Sequence, residues 1–458
     1  MSTVTASTPY DLLGVGIGPF NLALAALADG VPDIRSVFLD SSPEFSWHPG
    51  LLFEDARLQV PFLADLVTLV DPTSPWSFLN YLRTHDRLFP FYSAERFHVP
   101  RREYDHYCRW VSRGLPSCRF GARVTGISWN DTAGVFEVTW TGAGRAETVA
   151  ARNVVLGIGT RPQVPAAFAD LLGNRVFHAA DYLRRRPGLD AAKDIAVIGS
   201  GQTGAEVFLD LLRDTTGSQR LHWLTRSPAF APMEYSKLGL EHFTPDYTAY
   251  FRELPEPVRD RLVPAQWQLY KGISADTIAQ IHDLLYDRSI EGRWPAATLT
   301  PHVDVVGVRD LGQAGIELCC RQREQDRSFT VRVDAAVLAT GYSPAPPDFL
   351  DPMRSLVEWD DRGRYQVDAH HRVRLAGQVR DGLYVQNAEL HTHGVGTPDL
   401  GLGAHRAAVI LNALTGRTAY ALPPRTAFTS FGVHPPAGPA TQPPTLDPED
   451  TRAPARTR

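Results

Sequence analysis

Cysteine is scarce in this chain, with four among 458 residues. Cys108, Cys118, Cys319 and Cys320 make no CxxC pair and no metal-ligand spacing, which argues against a cysteine-built metal centre or a redox dithiol. Adjacent Cys319 and Cys320 read as strand residues. No apolar run approaches the roughly 20 residues that span a bilayer, so no membrane span is expected. The N-terminus has neither a basic start nor an apolar core, so no secretory signal is expected either, and a reducing cytoplasm fits. The net charge of −5 is small, which leaves no broad basic footprint for nucleic acid. Hydrophobic content of 43% and charged content of 21% are those of an ordinary folded protein. The length suits two or three domains of roughly 150 residues each.

Two glycine-rich turns stand out instead, 185 residues apart. The first is Gly14-Val15-Gly16-Ile17-Gly18-Pro19, and the second is Gly199-Ser200-Gly201-Gln202-Thr203-Gly204. Each follows a short apolar run that reads as a strand and opens a segment that reads as a helix. Glycine permits the tight turn and close backbone approach, and the helix N-terminus faces a pyrophosphate. One such turn is weak evidence. Two in these contexts predict two bound nucleotides, and electrons passing between them.

The run Ser36 to Asp40 reads as the second strand of the first unit. Its terminal acid is placed to accept ribose hydroxyls. The corresponding strand of the second unit, Leu221 to Thr225, ends in Arg226. An acid there favours NAD, whereas arginine pairs with the 2′-phosphate of NADP. The bland alternative is a surface arginine. The fold class expected is therefore α/β, with two Rossmann-like dinucleotide-binding domains, the second inserted in the first, and a small, mostly helical substrate region. Residues 1–165 and 336–422 are assigned to the first domain, with aromatic- and proline-rich loops over 45–115. Residues 166–335 are assigned to the second, with substrate-region helices at about 230–295. The segment 423–458 is rich in proline and reads as a disordered tail.

Several longer segments carry a family resemblance: GVGIGPFNLALAAL, FSWHPGLL, LQVPFLADLVTLVDPTSPWSFLNYL, VIGSGQTGAE and NAELHTHGVGTPDLGLG. The pattern DxxxLATGYxxxxP is met by Asp334, Leu338 to Tyr342 and Pro347. On these the chain resembles the flavin-dependent N-hydroxylating monooxygenases of hydroxamate siderophore biosynthesis, which act on lysine, ornithine or diamines. The resemblance covers about residues 10 to 420. It implies FAD in the first unit and NADPH in the second. NADPH reduces the flavin, oxygen gives a flavin hydroperoxide, and a neutral primary amine takes its distal oxygen. The cofactor carries this chemistry. The protein must hold the amine close and exclude water. It must also favour the uncharged form of an amine whose reference pKa is about 10.4.

Carried over residue by residue, the resemblance places flavin contacts at Gly14, Gly16, Gly18, Pro19, Asp40, Trp47, His48 and Gln59. Core packing is the alternative for Trp47 and His48. Gln59 is the catalytic candidate, beside both flavin and substrate. NADPH contacts fall on Gly199, Gly201, Gln202, Gly204 and Arg226. Further cofactor contacts are expected at Thr340, Gly341, His393 and Leu400. The His391-Thr392-His393 spacing invites a metal reading, but no acid or cysteine cluster accompanies it. A homo-oligomer, by resemblance a tetramer, is implied.

The amino-acid hydroxylases of the family read FLKDL, and their lysine holds the substrate carboxylate. Here the position is Ala64. Loss of one charge-assisted contact costs roughly 1.5–3 kcal/mol. A second polar anchor of the ornithine enzymes aligns with Leu240. Both departures predict a substrate without the carboxylate, putrescine or cadaverine. If lysine or ornithine is the substrate instead, another basic residue, such as Arg57 or Lys271, takes over carboxylate binding. Glu241 and Asp246 are candidates for the far ammonium of a diamine. Among competing classes, a flavin disulfide reductase needs the missing cysteine pair. A Baeyer–Villiger enzyme needs a fingerprint that Gly173, His178 and Tyr182 meet only with altered spacing. A non-catalytic flavoprotein would predict no oxygen consumption.

Overall fold

A computed structural model describes residues 8–214, 219–292, 294–377, 379 and 382–433. It contains two mainly parallel sheets. In the first, Cys118–Arg119, Ser36–Leu39, Tyr10–Val15 and the end of Arg145–Leu156 run parallel, with Leu383–Val385 beyond. The strand Arg145–Leu156 serves twice. Its first half closes an antiparallel meander with Val135–Gly142 and Arg123–Asn130, and its second half joins the parallel set. The second sheet is wholly parallel, in the order Ala297–Thr300, Arg220–Leu224, Asp194–Ile198, Ala335–Leu338, Val176–His178.

Each glycine turn sits where its physics requires. Gly16 has φ +87°, and a Cβ there would lie 2.5 Å from the Gly157 carbonyl oxygen. Gly199 has φ +119°, and a Cβ would lie 2.1 Å from the Ala339 oxygen. Only glycine tolerates both the dihedral and the contact. The helix Pro19–Asp29 starts with proline at its first position, where a missing N–H costs nothing. Its residues from Asn21 to Ala28 are all buried, packed between the sheet and the helix Gly403–Thr415. An apolar, alanine-rich helix hydrophobic on all sides suits that enclosed place.

The helix Gln202–Asp214 covers one face of the second sheet through Ala205, Val207, Phe208 and Leu211. The antiparallel strands Val303–Asp310, Ile316–Gln322 and Arg327–Val333 cover the other. Cys319 and Cys320 lie in the middle one. The helix Ala275–Ser289 is capped by Ser274 and buries Ile281 against the Gln202–Asp214 helix. Helices Pro245–Glu253 and Glu256–Ala265 instead pack against the Leu390–His393 turn of the first unit.

Two sequence expectations need correction. Ala335–Leu338 lies in the second sheet, paired with Asp194–Ile198 and Val176–His178, so a boundary at 335/336 cuts a central strand. The chain changes units just outside it, through a ribbon of Arg161–Pro162 and Tyr342–Ser343. The segment from 423 onward is also not uniformly free. Asp246 accepts from the Thr426 and Ala427 amides, and Glu241 from those of Phe428 and Thr429. Residues 434–458 of the expected tail lie outside the described residues.

Candidate active site

The first nucleotide turn is built around a buried amide. Asn21 donates to the carbonyls of Val15 and Gly16 and reaches that of Val155, while its oxygen accepts from Gln386 Nε2 at 2.7 Å. One side chain thus ties the turn to the neighbouring strand end and to the segment preceding Leu390. The helix beyond has Gly18 as its N-cap, no side-chain cap and no acid in its first turn, so its positive end is free for an anion. Asp40 follows the second strand and accepts from Ile17 N–H at 2.7 Å and Ser42 N–H at 2.7 Å. Each carboxylate oxygen keeps a lone pair for a ribose hydroxyl. A Cβ on Gly18 would meet nothing of the protein closer than 3.9 Å, so the space before it suits close approach of a ligand. These residues fit the ADP half of FAD.

Trp47 and His48 lie on the same side. Trp47 N–H donates to Asp105 Oδ1, and its ring meets those of Tyr104 and His48 edge-on. His48 adopts a left-handed conformation, φ +49°. Burial, helped by the charge of Arg101, lowers its pKa to about 4. Arg101 forms a two-pronged ion pair with Glu206 of the second unit, at 2.7 and 2.8 Å. Glu206 in turn accepts from Gln202. This largely buried chain of contacts joins the two nucleotide units beside His48.

In the second unit a Cβ on Gly204 would lie 2.2 Å from the Gly199 oxygen, so the turn and helix touch directly. Gln202 commits its side-chain amide to Glu206, Thr277 and the Ser274 N–H. Arg226 is exposed, and no ion pair to it occurs among the described residues. The Lys271 backbone oxygen lies 3.5 Å from where a Gly201 Cβ would be, and its ammonium sits 5.1 Å from the Tyr270 ring centre. Burial and the charge of Arg226 lower the Lys271 pKa. A glycine turn with an exposed arginine after the next strand, and a lysine close enough to feel its charge, fits NADPH with its 2′-phosphate. Lys271, considered above for a substrate carboxylate, lies beside Arg226 and the second glycine turn.

The substrate loop is held by Asp65. Its carboxylate accepts from the amides of Val67, Thr68 and Phe78 and from the Thr68 hydroxyl, at 2.6–3.0 Å. Burial raises its pKa, against the pull of these bonds. Tyr107 pins the loop from the helix Arg101–Gly114, accepting from Leu66 N–H and donating to the Trp76 carbonyl. Ala64 is buried on this rigid segment. Gln59 accepts on its backbone oxygen from the Tyr235 hydroxyl, while its side-chain Nε2 is buried without a partner. That orphan donor is what a ligand-facing amide looks like before its ligand arrives.

Other expected positions are placed as follows. Thr340 donates to the Gln163 carbonyl and Gly341 has φ +83°, both in the connection between units. Leu400 packs on the first core. His393 is buried and stacked on His371, centroids 4.2 Å apart. Its Nδ1 meets the Thr392 hydroxyl, which itself donates to Glu389 O, so Nε2 carries the lone pair and has no partner. Among the described residues no group of three metal-ligating side chains occurs. Arg57 is exposed and bonded to the His98 carbonyl. Leu240 is 39% exposed, on a short 3-10 turn. Glu241 and Asp246 accept from backbone amides of the C-terminal segment. The sequence reading missed Asn21, the Arg101–Glu206 pair and Tyr235. Only Asn21, inside the first glycine segment, had a local signal.

The profile of the L-lysine 6-monooxygenase/L-ornithine 5-monooxygenase family matches residues 8–344. The chain belongs to this family. It is 43% identical to a putrescine N-hydroxylase of Shewanella oneidensis, over 93% of this chain and 84% of that one. The FAD-bound cadaverine monooxygenase DfoA of Erwinia amylovora, from the desferrioxamine pathway, superposes with TM-score 0.90 at 40% identity, covering 94% of this chain and all of that one. An L-lysine N6-monooxygenase of Escherichia coli is 34% identical over 90% of this chain and 96% of that one. The family's members thus include enzymes for both diamines and amino acids. Among the described residues no helix is long and apolar enough to cross a membrane, and all four cysteines are free.

Proposed function

We propose that this chain uses FAD and NADPH to hydroxylate one primary amine of an aliphatic diamine, putrescine or cadaverine, for hydroxamate siderophore assembly. When bound, FAD supplies the oxygen activation and NADPH the electrons. The Gly14–Pro19 turn and Asp40 hold the first nucleotide, and the Gly199–Gly204 turn with Arg226 and Lys271 holds the second. Trp47 and His48 wall the flavin side. Gln59 offers its unpartnered amide to the amine or to an oxygen beside the flavin. The site must shed water, because a diamine reaches it as an ammonium and reacts as the free amine.

The observation that carries the choice of substrate is Ala64. It is buried on a loop fixed by Asp65, and it has no charge for a carboxylate. Of the two alternative cations, Arg57 is bonded to the His98 carbonyl and Lys271 stands beside Arg226. A panel of putrescine, cadaverine, lysine and ornithine decides the matter, with NADPH-dependent hydroxylamine and hydrogen peroxide both measured. Coupled turnover of a diamine is expected. Coupled turnover of lysine or ornithine, with diamines only uncoupling the enzyme, overturns the reading.

The enzyme is further proposed to work as a cytoplasmic homo-oligomer, a tetramer by family likeness. The helix Leu88–Ala94 supports this, because it buries none of its residues while Phe89 and Tyr92 are 83% and 79% exposed. Light scattering of the wild type and of Phe89→Glu tests it; a monomeric wild type overturns it.

A further inference from the structure

We propose that Asp399 is the counter-ion for the far ammonium of the diamine, so that this site offers a negative charge where the amino-acid hydroxylases offer a positive one. This rests on the diamine reading above and adds a residue to it.

Position comes first. A Cβ built on Gly401 would lie 2.8 Å from Asp399 Oδ1 and 3.8 Å from the Ala64 methyl carbon. The carboxylate and the alanine therefore flank the same spot. Tyr235 connects them to the catalytic end. Its hydroxyl donates to the Gln59 carbonyl, and the charge of Asp399 opposes its ionisation. Gln59, Ala64, Tyr235 and Asp399 make one neighbourhood, assembled from three separate stretches of chain.

Nothing bonded to the Asp399 side chain requires its charge. Its Oδ1 accepts from Gly401 N–H at 2.6 Å and caps the short turn Leu400–Leu402. An asparagine oxygen would cap that turn equally well. Among the described residues no cation forms an ion pair with Asp399. Arg406 is near enough to be felt, but its Nη2 donates to the carbonyls of Gly396 and Thr397 and its Nε faces Glu389, while its Nη1 has no partner and makes no ion pair with Asp399. The Asp399 side chain keeps some contact with solvent, yet burial by surrounding protein raises its pKa to about 6. A carboxylate in such a place is stabilised by a cation that arrives with the ligand. The same charge repels the carboxylate of lysine or ornithine, so one residue favours the diamine twice over.

Asp399→Asn keeps the cap and removes the charge. In the FAD-loaded enzyme, its KM and calorimetric Kd for putrescine and cadaverine should rise about 10- to 100-fold, as expected for loss of one charge-assisted contact. Values for n-butylamine and n-pentylamine, which lack the far ammonium, should change little, as should Tm and flavin content. The wild-type preference for each diamine over the monoamine of equal length then collapses. Unchanged diamine affinity overturns the counter-ion role, and so does equal weakening of diamines and monoamines, which marks Asp399 as a structural cap alone. A wild-type enzyme that couples only to lysine or ornithine overturns the diamine reading itself and the counter-ion with it. Ala64→Lys supplies an independent variant. Its ammonium should occupy Asp399 and weaken diamine binding by a similar factor, whereas undiminished diamine affinity would overturn the proposed adjacency.

Discussion

The two glycine turns share a backbone and differ in charge. Both pass through a left-handed glycine pressed against a carbonyl of the neighbouring strand connection, at Gly16 and at Gly199. Both precede a helix with no acid in its first turn. Past the second strand they part. Asp40 presents carboxylate oxygens already aligned by Ile17 and Ser42, whereas Arg226 and Lys271 present positive charge. The pyrophosphate is held by geometry common to both turns, and the ribose decides which nucleotide each prefers. An acid accepts from two free hydroxyls, while a 2′-phosphate needs cations.

Substitutions in the turns themselves break the comparison most severely. Gly16→Val adds bulk against the Gly157 oxygen at a dihedral valine avoids, and the protein should purify without flavin. Gly199→Ala meets the Ala339 oxygen in the same way. It should keep its flavin, while reduction by NADPH slows about 100-fold or more. Flavin content and stopped-flow reduction separate the two. Loss of flavin in both variants would mean that the turns are not independent.

The next effect sharpens the charge difference. Arg226→Ala and Lys271→Ala should each raise the KM for NADPH about 10- to 100-fold, at roughly 1.5–3 kcal/mol per charge-assisted contact. NADH, which has no 2′-phosphate, should be little affected. Equal weakening of both nucleotides would show that these residues support the turn and do not read the phosphate.

What the sequence made legible follows the same division. Both turns, their strands, Asp40 and Arg226 lie within one local supersecondary unit each, where spacing alone implies position. The substrate region is different. Gln59 and Ala64 were recognisable only through family segments, and Asp399 and Tyr235 join them from 335 and 171 residues beyond Ala64. Nothing local says that the backbone after the helix Trp267–Tyr270 returns to the Gly201 turn, so the place of Lys271 was not legible. The boundary at 335/336 failed because a run such as Ala335–Leu338 fits any buried parallel strand, and pattern does not say which sheet receives it. Glu241 and Asp246 looked free in sequence because their partners, the amides of residues 426–429, carry no side-chain signal.

A smaller effect belongs to the acid of the first unit. Asp40→Asn keeps one oxygen for the Ile17 amide and loses the charge that strengthens ribose contacts. FAD should bind about 3- to 10-fold more weakly by fluorescence titration, or roughly 0.7–1.4 kcal/mol. NADPH affinity should stay as it was, and a matching change there would undo the assignment of one acid to one nucleotide.

The mildest test uses pH. Lys271 is a cation beside a cation, in surroundings that also disfavour charge, so its pKa falls below that of an ordinary lysine. A depressed ammonium is fully charged at low pH and loses its proton earlier than a surface lysine as pH rises. Its attraction for the 2′-phosphate is therefore full at low pH and fades as pH rises, earlier than for an ordinary lysine. The KM for NADPH should climb gradually with alkaline pH, by no more than the Lys271→Ala effect, while the KM for NADH stays level. Bound phosphate opposes the deprotonation, so the climb should be later in experiments with saturating NADPH than in free-enzyme binding titrations. Lys271→Arg, which cannot lose its proton, should flatten the profile. A flat wild-type profile, or one shared by both nucleotides, would take Lys271 out of the phosphate site and leave Arg226 as its sole charged reader.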